Sequence, residues 1–252
     1  MRKLKLVLEY EGTNYHGWQK QENAPAVQNL LEDRLKVLLK EPVSTIGAGR
    51  TDTGVHARMQ VVSFSTASPL DTARLARGLN GLLPRDIRVT ACEEAPQAFS
   101  ARRDPLRKTY HYRLLNRQAD SPFWRRFAWH LPEPLDVEAM RQAGACLVGD
   151  HDFSSFRAAS CEAEHARRRL MEARVDQEGE LLVVKLTATA FLHHMARIIA
   201  GTLVETGQGR RKPGDMKALL EARDRRRAGK TAPARGLILW EVVYGAIPRP
   251  KA

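Results

Sequence analysis

The chain has 252 residues, enough for one large domain or two of ordinary size, with an adequate core in either case. Its 41 Lys and Arg against 29 Asp and Glu give a formal charge of +12 and a pI near 10.0, which favours a polyanionic partner, nucleic acid before membrane. No uncharged apolar run reaches the roughly 20 residues of a spanning helix, the N-terminus lacks a signal peptide's apolar region, and three cysteines without a C-x-x-C pair exclude a disulfide framework, so a soluble cytoplasmic protein is expected.

In chain order, "LKLVLEY" predicts a strand. Val27, Leu30, Leu31, Leu35, Leu38 and Leu39 fall on one helical face behind Pro25, a suitable first-turn residue. "VSTIGAG" and "MQVVSFST" predict strands on either side of a polar loop, "DTARLARGLNGLL" a helix and "DIRVTACEE" a strand. Residues 95 to 107, with two prolines and mixed charge, read as a linker. The same order then returns: "KTYHYRLL" as strand, "DVEAMRQAGACLV" as helix, "RRRLMEARVD" and "ELLVVKLTA" as a hairpin, "FLHHMARIIAGTLVET" as helix and "GLILWEVVY" as the closing strand, with an extra helix in "GDMKALLEARDRR". The expectation is an α+β fold of two similar ferredoxin-like (βαββαβ) domains, residues 1–100 and 105–252, whose antiparallel sheets are flanked by helices. A cleft between two such domains is a common place for a site.

The polar loop is "GAGRTDTGVHA". Asp52-Thr53-Gly54 is the tripeptide of aspartic proteases, but their dyad needs two carboxylates sharing a proton, and the chain carries the tripeptide once. Gly47 and Gly49 begin a dinucleotide-binding pattern, yet Asp52 stands where a third small residue belongs and would repel pyrophosphate. The glycines are read as permitting a tight turn that projects Arg50 and Asp52 out of the sheet.

Strand alternation in "RKTYHYRLL" puts Lys108, Tyr110 and Tyr112 on one face, and tyrosines on a basic strand suit either base stacking or core packing with satisfied hydroxyls. In "FLHHMARIIAGTLVET", Leu192, Met195, Ile199 and Leu203 face the core and His193, His194 and Arg197 share the polar face. Adjacent histidines lack the i, i+4 spacing of a metal pair, and Cys146, His151, Cys161 and His165 are irregularly spaced, so no metal is expected. Arginine and lysine clusters, among them Arg102–Arg103, Arg125–Arg126, Arg167–Arg169 and Arg225–Arg227, are spread over many elements, as a surface following a phosphate backbone requires.

Six stretches together resemble, in order, the motifs of the A-type tRNA pseudouridine synthases: "YEGTNYHGWQKQ", "GAGRTDTGVHA", "RKTYHYRL", "HDFSSF", "FLHHMARIIAGTL" and "TAPARGLILWEV". The resemblance covers nearly the whole chain. It implies isomerisation of uridine to pseudouridine at positions 38, 39 and 40 in the tRNA anticodon stem-loop, by a homodimer without cofactor or essential metal. It makes Asp52 the catalytic nucleophile and Arg50 a neighbour that displaces or replaces the target base. Tyr110 matches the tyrosine that stacks on the base, and Arg197 matches the basic residue that pairs with the catalytic carboxylate. Leu237 matches an apolar pocket residue, with Ile238 beside it.

The chemistry is consistent with those residue types. The N1 glycosidic bond breaks, the base turns and C5 is joined to the ribose, so a detached uracil must be held in a flipped-out position. A carboxylate acts by adding to C1′ or by removing a proton from C2′. A non-catalytic RNA-binding protein leaves the Asp52 loop without purpose, and a methyltransferase needs a nucleotide-cofactor loop that the sequence lacks.

Overall fold

A computed structural model describes residues 1–245, and the chain divides into two compact units. One comprises Met1–Leu106 with the stretch from Leu239 on, the other Arg107–Ile238. Their architecture is α+β, with antiparallel strand pairing except for one short parallel strand among the described pairs.

In the first unit, β1 (Arg2–Tyr10) buries Leu4, Leu6 and Leu8 completely, while Lys5, at the intervening positions, reaches Glu93 across the sheet at 2.7 Å. Helix α1 (Val27–Leu39) buries Val27, Leu31, Leu35 and Leu39 along one stripe. Pro25 stands before the N-cap Ala26, outside the first turn where it was expected. Strand β2 is reduced to Ile46–Gly47, against an expected span from Val43 to Gly49. The cause is Glu32 of α1, whose buried carboxylate accepts both the N–H and the hydroxyl of Thr45 at 2.9 Å and draws that backbone out of the ladder. Strand β3 (His56–Thr66) begins three residues before the expected Met59, while helix α2 (Thr72–Leu82, capped by Asp71 accepting the Arg74 N–H) and strand β4 (Ile87–Ala95) follow as the periodicity predicts.

The second unit begins at Arg107, within β5 (Pro105–Asn116), and continues with β6 (Trp129–Leu131), α3 (Val137–Ala145), β7 (Gly149–Asp152), β8 (Arg167–Glu178), β9 (Leu181–Ala188), α4 (Met195–Gly207) and α5 (Asp215–Ala222). Strand β10 (Leu237–Tyr244) closes the described chain, and from Leu239 on it belongs to the first unit. The strand order is β4–β1–β3–β10 in the first unit, with β2 also on β3, and β5–β9–β8–β7 in the second, with β6 parallel to β5. Strands β6 and β7, "WHL" and "GDHD", are too short and too polar to announce themselves by alternation.

Three further expectations change. Residues 95 to 107 are a packed corner: Phe99 and Ala101 are buried, the Ala101 N–H donates to Ser63 Oγ at 3.1 Å and its carbonyl accepts the Tyr244 hydroxyl at 2.7 Å. Helix α4 starts at Met195, because His194 takes a left-handed conformation at φ 62 and ψ 0. His193 and His194 therefore precede the helix and do not share a helical face with Arg197. Helix α5 stops at Ala222, where Arg223 is left-handed, and Arg225–Arg227 form a separate 3-10 turn.

Candidate active site

The Asp52 loop joins β2 to β3, and its shape is imposed by the segment that follows β1. The Trp18 N–H donates to the Thr51 carbonyl at 3.0 Å, the Gly54 N–H donates to the Tyr15 carbonyl at 3.2 Å, and the Gly12 N–H donates to His56 Nδ1 at 3.0 Å. An accepting Nδ1 puts the proton of the buried His56 ring on Nε2. The hydroxyls of Tyr10 and Thr51 lie 2.8 Å apart out of solvent, and burial raises the Tyr10 pKa well above its ordinary value, keeping it protonated. Tyr15 in turn donates to the Asp86 carboxylate. "YEGTNYHGWQKQ" and "GAGRTDTGVHA", well separated in sequence, thus form one hydrogen-bonded structure.

Two glycines make this possible. Gly17 has φ +87, and a Cβ there would collide with the Thr51 carbonyl. Gly47 and Gly49 are not among the glycines with positive φ, and Gly49 lies in a bend just after β2. Gly47 instead makes room for the indole of Trp18, which a Cβ would approach to 2.7 Å. Within the loop, Asp52 is half-buried and its carbonyl accepts the Val55 N–H at 3.1 Å. Arg50 is exposed and its Nε donates to Gln19 Oε1 at 3.2 Å. A carboxylate and a guanidinium thus stand two residues apart on a loop whose backbone is fixed from beneath.

The second unit holds Tyr110, Arg197 and Leu237. Tyr110, opposite Leu186 in the β5–β9 ladder, is buried with its ring edge-on to Phe191 at 4.8 Å between centroids. Tyr112, two residues on, is fully buried and donates to the Pro233 carbonyl at 2.7 Å. Burial pushes its hydroxyl far up, and the positive charges of Arg197 and Arg235 only partly oppose that.

Of the 13 residues of α4, all are buried except the half-buried Arg197 and Glu205. Arg197 Nε donates to the Ala232 carbonyl at 2.8 Å and the Ala232 N–H donates back to the Arg197 carbonyl at 3.1 Å. Farther along, Thr202 Oγ1 accepts the Gly229 N–H and Glu205 Oε1 the Lys230 N–H, both at 3.0 Å. Glu205 Oε2 also takes Arg211 Nε at 2.6 Å. The stretch from Gly229 to Pro233 is therefore laid along α4 and pinned by Tyr112. It delivers Leu237 and Ile238 to the start of β10, both buried to the same extent.

Arg50 and Asp52 are thus together on one loop of the first unit, and Tyr110, Arg197 and Leu237 lie in the second. Trp18, His56 and Glu205 were not singled out by the sequence reading, and Tyr112 was placed only on the strand face it shares with Tyr110. The signal for Trp18 was the density of glycine and aromatic residues in "YEGTNYHGWQKQ", whereas His56 stands near the end of the "GAGRTDTGVHA" loop itself.

The family model for tRNA pseudouridine synthase matches residues 6–102 and 143–245, which include the Asp52 loop, α4 and β10. The chain belongs to the tRNA pseudouridine synthase family. It is 49% identical over 245 residues to a tRNA pseudouridine synthase A of Myxococcus xanthus, covering 97% of this chain and 92% of that one. It is 45% identical over 244 residues to a tRNA pseudouridine synthase A of Geotalea uraniireducens, covering 97% and 100%. Tyr110 lies between the two segments matched by the family model.

Proposed function

We propose that this chain converts uridine to pseudouridine at positions 38, 39 and 40 of the tRNA anticodon stem-loop. Isomerisation of uridine in tRNA is the activity of the family to which the chain belongs, and the observation that carries it here is the match through both units, the Asp52 loop included. In this reading Asp52 is the nucleophile at the ribose, and Arg50 takes part in displacing the base. Tyr110 stacks on the detached uracil, Arg197 supplies the positive charge that keeps the nucleophile ionised, and Leu237 lines the pocket. The fixed loop backbone supports the role of Asp52, since a nucleophile must be held close to its attack geometry. A charge of +12 supports a long polyanionic substrate, and in this reading the protein meets its tRNA in the cytoplasm.

We also propose that the protein acts as a homodimer and that its two halves share one βαββαβ plan. The order β4–β1–β3, with β2 also on β3, supports that plan for the first half. Among the described residues no helix is long and apolar enough to cross a membrane.

The reaction breaks N1–C1′, forms C5–C1′, releases the C5 hydrogen to water as a proton and takes up a proton at N1. A tRNA transcript labelled with tritium at uridine C5 should therefore release label when mixed with the protein alone, without cofactor and with chelator present. Pseudouridine mapping then gives the positions. A folded protein that binds the transcript without releasing tritium would exclude the assignment.

A further inference from the structure

We propose that Phe123 is a stacking platform for an unpaired base of the RNA substrate, at a contact outside the residues that carry the chemistry. The proposal rests on the tRNA reading above. Phe123 lies in "SPFWRRF", a turn between β5 and β6 that places three aromatic rings within five residues. Two of them fold inward or partly so. Trp124 packs on Leu115, Ala128, Leu181 and Val183, and its Nε1 donates to Glu180 Oε1 at 2.5 Å, while Phe127 is half-buried. Phe123 alone points out, with 85% of its surface exposed.

A single exposed apolar side chain is ordinary on a protein surface. Here the backbone beneath it is fixed. Asp120 Oδ1 accepts the Ser121 N–H at 2.7 Å, and the hydroxyl of Ser121, a residue only 4% exposed, accepts the N–H groups of Phe123 at 3.3 Å and Trp124 at 3.4 Å. The Ser121 carbonyl takes the Arg125 N–H at 2.9 Å, and the Trp124 carbonyl takes those of Phe127 and Ala128 at 2.8 and 2.9 Å. The turn therefore fixes the backbone that carries the exposed ring. A phenyl ring with two rotatable bonds on a rigid turn binds with little loss of entropy.

The charges around it select the partner. Arg125 and Arg126 are exposed beside Phe123. Of the acids in this region, Glu180 is paired with Arg117 at 2.6 Å and also accepts Trp124 Nε1, while Asp120 lies at the start of the turn and accepts the Ser121 N–H. An exposed aromatic face with cations two and three residues along the same turn fits a nucleobase whose neighbouring phosphates meet the arginines, and only an unpaired base offers a free face.

The test uses the full-length protein and a tRNA transcript, with affinity measured by fluorescence anisotropy and turnover by tritium release. Phe123→Ala should raise both Kd and KM about 5- to 140-fold, the change equivalent to ~1–3 kcal/mol for one stacked base. Its kcat at saturating tRNA and its thermal midpoint should be unchanged. Phe123→Trp should restore affinity, and Phe123→Leu, apolar without a π face, should behave as the alanine variant does. Wild-type affinity in Phe123→Ala, or in Phe123→Leu, overturns the proposal. So does a fall in oligomer size on sedimentation of Phe123→Ala without a change in tRNA affinity, which would assign the ring to a second copy of the chain. Phe123-dependent binding by a wild-type protein that releases no tritium would leave the platform standing and remove the synthase reading.

Discussion

Arg197 and Ala232 are bonded to each other twice, side chain to carbonyl at 2.8 Å and N–H to carbonyl at 3.1 Å, so that α4 and the stretch leading into β10 cannot shift independently. Arg197 thereby has a structural role alongside the electrostatic one proposed for it. Replacing Arg197 with methionine should abolish tritium release and lower stability by about 1.5 to 3 kcal/mol, the range for a hydrogen bond to a charged group. Rates from single-turnover assays and denaturant midpoints would separate the two effects. A destabilised variant that turned over at the wild-type rate would leave Arg197 with the structural role only.

The Asp52 loop separates chemistry from shape. Asp52→Asn is nearly isosteric, so tRNA affinity should be retained while turnover falls to trace levels, because phosphate contacts elsewhere supply most of the affinity. Gly17→Ala leaves every polar group in place but forces φ +87 on an alanine and drives its methyl into the Thr51 carbonyl. It should cost about 1 to 3 kcal/mol in stability and depress kcat with Asp52 intact. A fully active Gly17→Ala protein would show that the clamp beneath the loop is dispensable.

Glu205 gives a pH dependence of known sign. Burial pushes its carboxyl up, but the Arg211 guanidinium and the Lys230 N–H outweigh that and hold it below the ordinary value. The unfolded chain therefore takes up the proton first as pH falls. The stabilisation is complete above the unfolded pKa of about 4.3 and is lost as pH drops through the lower folded value. Glu205→Gln should weaken stability at pH 7 and flatten the decline of the denaturation midpoint below about pH 4.3. An unchanged acid limb in that variant would remove Glu205 from the account.

Affinity for tRNA should fall log-linearly with salt, as release of counterions from phosphates requires. The three arginines at Arg225–Arg227 should not contribute equally. Arg226 is forked on Asp224, with Nη2 to Oδ2 at 2.8 Å and Nε to Oδ1 at 3.0 Å. Arg225 donates to Thr231 Oγ1 at 3.0 Å, whereas Arg227 is exposed. Arg227→Gln should flatten the slope by up to about 0.9, and Arg226→Gln by less, since its charge is already offset. A salt-independent Kd would refute the electrostatic reading of the +12 charge.

The sequence by itself located β1, α1, α2, β4 and the β8–β9 hairpin to within a residue or two, because a period of two or of 3.6 is a property of consecutive side chains. The order of six motifs marked the family and singled out Asp52, Arg50, Tyr110, Arg197 and Leu237 without any coordinate. What the fold alone decided is where distant residues impose a local departure. Glu32 shortens β2 by capturing Thr45, and Ser63 and Tyr244 convert the expected linker near Ala101 into a packed corner. His194 delays α4 by adopting a left-handed turn, and "YEGTNYHGWQKQ" acquires a role only when Trp18 and Tyr15 are seen to hold Thr51 and Gly54. The packed corner and the clamp on the Asp52 loop depend on hydrogen bonds between groups tens of residues apart, and the Glu32–Thr45 contact joins groups 13 residues apart. No local pattern encodes them, since their partners meet only after the chain has folded back on itself.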